Sequence, residues 1–177
     1  MSKSILILYK SKTGFTKKYA DMIAEETGGT AMDFKEGTPE LLSSFDRVLL
    51  GSRMHAGQID GLPKVRRLFL KSSVRLSALF VTGAMPITER KTIEEMWKNN
   101  LTREELSFLP HFYLQSGLCY EKMNFTDKAM MKVFSFMLKR KNNKTPDEIG
   151  FAEAIAHSYD ISSREYLGPL LKHLSEN

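Results

Sequence analysis

Ile5-Leu6-Ile7-Leu8-Tyr9 is an unbroken apolar run of five residues, entered from Ser4 and left through Lys10-Ser11. A run this short, with no alternation of polar and apolar positions, is what a strand buried on both faces requires. Such strands sit in the middle of a parallel sheet with helices on both sides, so this segment reads as the first central strand. The next residues agree with that reading and with the α/β class. Tyr19, Met22 and Ile23, flanked by Ala20 and Ala24, keep helical spacing up to Gly28-Gly29, a helix stop. Thr30 to Phe34 reads as a second strand, and Arg47 to Leu50, running into Gly51, as a third. Apolar positions 62, 65, 68 and 69 place a helix over Leu62 to Leu70, and Val74 to Val81, running into Thr82-Gly83, is a fourth strand. Ile93, Met96 and Trp97 mark another helix, broken where Thr102 to Glu105 offers a second capping box. His111 to Gln115 makes a fifth strand that ends at Ser116-Gly117.

Alternating strands and helices imply right-handed crossovers and a three-layer, doubly wound sandwich. Two helices should close the chain, opened by capping boxes at Thr145-Pro146-Asp147-Glu148 and at Ser162 to Glu165, with Pro169 kinking the last. Without repeats or linkers, 177 residues suit one domain spanning 1–177. The 42% hydrophobic and 27% charged content is ordinary globular usage, which excludes disorder and coiled rods. No apolar stretch approaches the ~18–20 residues of a spanning helix. Ile5–Tyr9 meets Lys10 and Lys12 in place of a cleavage site, so a cytoplasmic protein is expected. Cys119 is the only cysteine, which rules out an intrachain disulfide, and His55, His111, His157 and His173 lack ligand spacing, so no metal is expected.

The formal charge of +5 is unevenly spread along the chain. Lys122, Lys128, Lys132, Lys139, Arg140, Lys141 and Lys144 face one acid, Asp127, so the segment 122–145 carries +6 and the remainder −1. Within it Phe125, Ala129, Met130, Val133, Phe134, Met137 and Leu138 fall on one helical stripe. The pattern predicts a basic helical insertion at about 119–145, and two readings of it are open. The stripe packs on the core while the lysines solvate it, or the helix meets anionic lipid, a quinone or a protein partner.

Ser11-Lys12-Thr13-Gly14-Phe15-Thr16 lies between the buried strand and the start of the first helix. Free N–H groups and the positive end of a helix dipole hold phosphate, hydroxyls at 11, 13 and 16 add donors, and Gly14 permits close approach. A plain Ser/Thr-capped helix would use the same residues. The stretch has neither the Gly-Lys-Ser/Thr ending of a Walker loop nor the three glycines of a dinucleotide fingerprint.

From Tyr9 through Thr16 the chain resembles the flavodoxin family, whose first loop has a hydroxyl residue, a spacer, Thr-Gly, a spacer and Thr after a strand ending in an aromatic. The resemblance extends over about residues 3–118 and implies a five-stranded parallel sheet in the order 2-1-3-4-5. More narrowly, Phe45-Asp46-Arg47-Val48 leading to Gly51-Ser52, and Ser116-Gly117-Leu118-Cys119-Tyr120 before a long Met- and Lys-rich insertion, look like the branch that includes menaquinone-dependent protoporphyrinogen oxidase. FMN is the implied cofactor. Its phosphate would sit on Ser11, Lys12, Thr13, Gly14, Phe15 and Thr16. Its ring would lie between the loops Ser52–Gln58 and Thr82–Ile87, touching Ser52, Arg53, Met54, His55, Ala56 and Gly57 on one side and Thr82, Gly83, Ala84 and Met85 on the other.

Those loops lack the Trp and Tyr between which electron-shuttling flavodoxins stack the ring. That departure favours two-electron chemistry; Arg53 is either near the ring, favouring an anionic reduced flavin by charge attraction, or a solvated loop arginine. His55 is either a proton donor or a surface histidine; Cys119 reads as a small apolar filler and Trp97 as core. The resemblance therefore implies an FMN-dependent oxidoreductase similar to protoporphyrinogen oxidase, with quinone as acceptor. A flavodoxin-type electron carrier, or an FMN-binding module with no substrate of its own, is the alternative. Carriers usually show an acidic docking face, which the basic insertion is not. Expected partners are a redox partner or quinone and, through 122–145, the anionic inner face of the cell membrane. Nucleic acid is not expected, because only Phe134 and Phe136 interleave the basic run.

Overall fold

A computed structural model of the chain describes residues 4–140, 142 and 146–176. The chain opens with β1 (Ile5–Tyr9), α1 (Phe15–Thr27), β2 (Thr30–Asp33), α2 (Pro39–Ser43) and β3 (Arg47–His55). Next come β4 (Gln58–Ile59), α3 (Leu62–Leu70), β5 (Leu76–Gly83), α4 (Arg90–Asn100), α5 (Arg103–Phe108) and β6 (His111–Gln115). β7 (Gly117–Leu118), α6 (Phe125–Arg140), α7 (Pro146–Ala154), β8 (Tyr159–Asp160) and α8 (Gly168–Glu176) complete it.

The main sheet runs β2-β1-β3-β5-β6 with every one of these pairs parallel. Leaving aside β4, a short antiparallel partner of β3, this is the expected order 2-1-3-4-5. Alternate residues of β1 face opposite layers. Ile5 and Ile7 pack with Tyr19, Ala20 and Ile23 of α1 and with Leu170 and Leu174 of α8. Leu6 and Leu8 join Leu42 of α2 and, through Leu68 and Phe69, α3. Under the other half of that face, Leu50, Leu79 and Val81 meet Val65, Trp97 and Leu101. These clusters consist of side chains removed from water, each gaining roughly 1.5–3 kcal/mol on burial.

Several local expectations change. β3 extends to His55 through what reads in sequence as loop, because Arg53 continues the ladder with Thr82 and Met54 pairs back with Ile59. β5 begins at Leu76 and not at Val74. Ser163 caps a short 3-10 turn, Arg164–Leu167, where the sequence predicts a box from Ser162 opening the last helix. Pro169 falls in the first turn of α8, where a missing N–H is harmless, so it produces no kink. The Thr102 box is present as expected, with both reciprocal bonds to Glu105. The Thr145 box lies outside the described residues.

The chain after β6 is tied back to the body by β7 and β8, which pair antiparallel with Gly117 opposite Asp160. A Cβ on Gly117 would stand 2.0 Å from the Tyr159 carbonyl oxygen, so this contact requires glycine. α6, capped by Asn124 Oδ1 accepting from the Asp127 amide at 2.7 Å, then crosses the C-terminal ends of the strands. It splits the stripe read from the sequence. Met130 and Phe134 line the cavity at the sheet ends although 38% and 41% exposed, whereas Phe125 is 87%, Val133 59% and Met137 63% exposed, with Phe136 beside them at 56%. The buried positions are polar, Asp127 and Ser135. The side chain of Lys139, and residues 141 and 143–145 with Lys141 and Lys144, lie outside the described residues.

Candidate functional site

Ligands of doubly wound sheets sit beyond the carboxyl ends of the strands. There the chain leaves β1 with the Lys10 amide on the Gly51 carbonyl at 2.8 Å and turns into α1 at Gly14, whose φ of 103° a side chain would strain. The Gly14 amide donates to Ser11 Oγ at 3.2 Å, so Ser11 shapes the loop. α1 starts with no side-chain cap and no acid in its first turn, which leaves its amides and dipole unanswered at that end. A cavity of about 450 Å³ opens on this terminus, lined by Thr13, Gly14, Phe15, Lys18, Lys122 and Tyr159 among others. Lys122 Nζ lies 3.4 Å from where a Cβ on Gly14 would be, and Lys18 is held by Asp160 at 2.7 Å. Thr16 is 1% exposed, and its hydroxyl shares a 2.9 Å hydrogen bond with the Thr82 hydroxyl, bracing the loop against β5.

A second cavity, about 220 Å³, lies over the ends of β3 and β5 and meets the first along Thr13, Phe15, Leu118 and Cys119. Arg53, Met54, His55 and Ala56 form one wall and Thr82, Gly83, Ala84 and Met85 another. Ser52 and Gly57 stand back from it. Ser52 is buried and donates to the Asp60 carbonyl at 2.6 Å, and Gly57 makes the two-residue turn with Ala56, both at positive φ. Asn100 of α4 holds this hairpin, accepting from the Ile59 amide at 2.8 Å and donating to the Gly57 carbonyl at 2.9 Å. The second wall is fixed by Gln115, which accepts from the Ile87 amide at 2.9 Å, and by Tyr113, which donates to the Met85 carbonyl at 3.0 Å. Burial raises the Tyr113 phenol far above its usual range, so it stays a donor.

Six of the ten methionines line this second cavity: Met54, Met85, Met96, Met123, Met130 and Met131. α6 and α7 roof it, adding Phe134, Phe151 and Ile155. Sequence reasoning missed most of this wall, together with Lys18 and Lys122 at the cationic end. The usable signal was the clustering of methionines in the insertion.

Charged groups line the rim in sequence-distant pairs. Asp127 of α6, with 8% of its side chain exposed, accepts from Lys12 Nζ at 2.8 Å and from His55 Nε2 at 2.9 Å, and Arg53 lies 4.0 Å away. Arg53 also bonds Asp60 at 3.3 Å, and Asp60 holds Lys10 at 2.6 Å. Lys12 is thus turned to α6. Burial pushes both carboxyls upward, but bonds and charge from Lys12 and His55 on Asp127, and from Lys10 and Arg53 on Asp60, outweigh it and hold both below the usual carboxylate range. Asp127, the single acid in a basic run, ties α6 to Lys12 and His55 across the two cavities.

The chain belongs to the flavodoxin domain family, whose model matches residues 6–145. Oxidised flavodoxin 1 from Bacillus cereus is similar at 16% identity, over 78% of this chain and 99% of its own, with a TM-score of 0.40. A flavodoxin, WrbA-like protein from Agrobacterium tumefaciens is similar at 12% identity, over 88% of this chain and 96% of its own, with a TM-score of 0.41. A comparison with curated proteins found no match. FMN is the cofactor this family points to, and the residues present fit it: an uncapped helix end with Lys18 and Lys122 suits a phosphate, and the adjoining apolar cavity suits a flat ring.

Proposed function

We propose that the chain is an FMN-dependent oxidoreductase, similar to the menaquinone-dependent protoporphyrinogen oxidase branch, that moves electrons in pairs from an apolar donor to a quinone. The observation that carries this reading is the joining of a cavity at the uncapped start of α1, lined by Lys122 and by Lys18 paired with Asp160, to a roofed, methionine-lined cavity over β3 and β5. A molecule with an anionic tail and an aromatic head fits the pair. Bound FMN supplies the redox chemistry. Thr13, Gly14, Lys18 and Lys122 hold the anionic end. The hairpin and the Thr82–Met85 wall orient the ring, and the methionines of α6 exclude water while adapting to an apolar donor. His55, oriented by Asp127, is placed to hold a proton at the rim. A carrier without its own substrate has no use for a roof built by an insertion, so that alternative ranks second.

The electron count tests this. Stepwise anaerobic reduction of the FMN-loaded protein should carry the visible spectrum from the oxidised to the fully reduced form through shared isosbestic points, because no Trp or Tyr of the two loops stacks on the ring. A long-wavelength band persisting through mid-titration would establish one-electron behaviour and favour the carrier.

The outward face of α6 supports contact with an anionic membrane surface, since Phe125, Val133, Phe136 and Met137 are exposed among Lys132 and Arg140. Among the described residues no helix is long and apolar enough to cross a membrane. Replacing Lys132 and Arg140 by glutamine should weaken binding to phosphatidylserine vesicles by about 1 kcal/mol for each charge removed. Sedimentation with vesicles measures this, and a wild-type chain that stays in the supernatant removes the membrane from the proposal.

A further inference from the structure

A second cationic surface lies on the α3 side of the sheet, far in sequence from the basic insertion. Lys64, Arg67 and Lys71 recur at intervals of three and four, so they share one face of α3 and its end and span about 10 Å at 1.5 Å per residue. Lys35, from the turn after β2, and Lys10, after β1, face them across an open cavity of about 530 Å³ whose floor includes Phe34, Pro39 and Leu68. No acidic side chain lines it. The acids nearest in sequence lie outside: Asp33, which accepts from the Lys35 amide at 2.9 Å, and Glu36 line no part of the cavity, and Glu40 is bonded back toward Thr38. Lys10 is paired with Asp60, but among the described residues Lys35, Lys64, Arg67 and Lys71 make no ion pair.

Four exposed, unpaired cations around one concavity repel each other in the free protein, and a complementary anionic surface relieves that repulsion. Being solvated, they give up little hydration on binding and act chiefly by steering an approaching partner. Their spread along α3, with Lys35 opposite, exceeds what one small anion can touch and suits a strip of carboxylates. The position is equally specific. Lys10 reaches Asp60, and Asp60 holds Arg53 on the wall of the methionine-lined cavity, so anything docked here lies beside the hairpin that borders the redox site.

We infer that Lys35, Lys64, Arg67 and Lys71, with Lys10 at the inner edge, form the docking surface for an acidic electron-transfer protein. The redox part of this rests on the FMN reading above; the surface itself does not. It inverts the usual arrangement in which a flavodoxin presents the acidic face. It also separates two routes: the apolar donor and the quinone enter under α6, and a protein that exchanges electrons with the flavin in place of the quinone meets the α3 side.

The test is binding of the whole chain, with and without FMN, to an acidic plant-type ferredoxin by isothermal titration. The wild type should bind, and weaken by about tenfold or more from low to physiological salt. The triple variant Lys64→Glu, Arg67→Glu, Lys71→Glu should lose more than about tenfold in affinity at low salt, with an unchanged circular dichroism spectrum. The pair Lys132→Glu, Arg140→Glu on α6 should bind like the wild type. Binding by a chain that takes up no FMN would uphold the surface while refuting the flavin reading. Equal binding by the triple variant, loss confined to the α6 pair, or a wild type that ignores ferredoxin yet binds tripolyphosphate through these residues would each overturn the inference.

Discussion

Replacing Thr13 by aspartate is expected to weaken FMN binding by about 2–4 kcal/mol, or roughly 30- to 900-fold in dissociation constant. Thr13 lines both cavities at the uncapped start of α1. The substitution removes one donor to the phosphate and puts a carboxylate where the anion would sit. Riboflavin, which has no phosphate, should lose far less affinity. The effect on the flavin-free protein should have the opposite sign, since a carboxylate near an uncapped helix start and beside Lys18 and Lys122 is stabilising by ~0.3–1 kcal/mol. A rise in melting temperature without flavin, together with the loss of FMN affinity, separates an anion site from damage to the fold. Fluorescence titration with both flavins measures it, and equal losses for FMN and riboflavin would show that the phosphate lies elsewhere.

Asp127→Lys should release α6 from the sheet ends. The wild-type carboxylate answers Lys12, His55 and Arg53; a lysine would make a further cation among them. Uncompensated charge in a buried position costs about 3–5 kcal/mol, but the helix need not bear it, because undocking restores water to every member of the group. The cost is therefore capped by the free energy of docking. Global stability, which rests on the clusters around β1, β3 and β5, should change little. Hydrogen exchange in 125–140 should accelerate strongly, and a dye that fluoresces in apolar surroundings should gain access to the methionine-lined cavity. The wild type should show the same opening in acid. Asp127 has its carboxyl held below the usual range in the folded chain, so its contribution is fully present above the ordinary carboxylate pKa of ~3.9 and is lost as the pH falls through its lowered folded value. Asp127→Asn should remove that acid transition. Exchange over α6 that is slow and unchanged in the lysine variant would mean that apolar contacts alone hold the helix.

The sheet was legible because it depends on short-range features. Ile5–Tyr9 can be placed as a doubly buried strand from its composition alone, and each later strand of the sheet is an apolar segment that runs toward glycine, serine or a short polar turn. The turn into α1 was legible for the same reason: a strand, a Gly14 turn and a helix start are contiguous within one stretch of eight residues, Tyr9 to Thr16. Hydroxyl direction was not. Thr16 turns inward because Thr82, 66 residues later, supplies a partner, and no local rule reports that. The hairpin at Arg53–Ile59 escaped notice because Asn100 stabilises a segment that reads as loop.

The segment 125–140 shows the division most clearly. The sequence determined that 125–140 would be helical and basic, since propensity and periodicity are properties of the segment itself. Only the tertiary structure decided which side faces in, and it chose Asp127 over Phe125 and Val133. A buried carboxylate with Lys12 and His55 as partners, and the Arg53 guanidinium 4.0 Å away, gains charge-assisted hydrogen bonds that no apolar side chain can offer at that rim. In the same way the cations at 10, 35, 64, 67 and 71 are scattered along the chain and become one surface only when β1, β2 and α3 are brought together. Local chemistry is written in neighbouring residues; charge convergence is a property of the folded path.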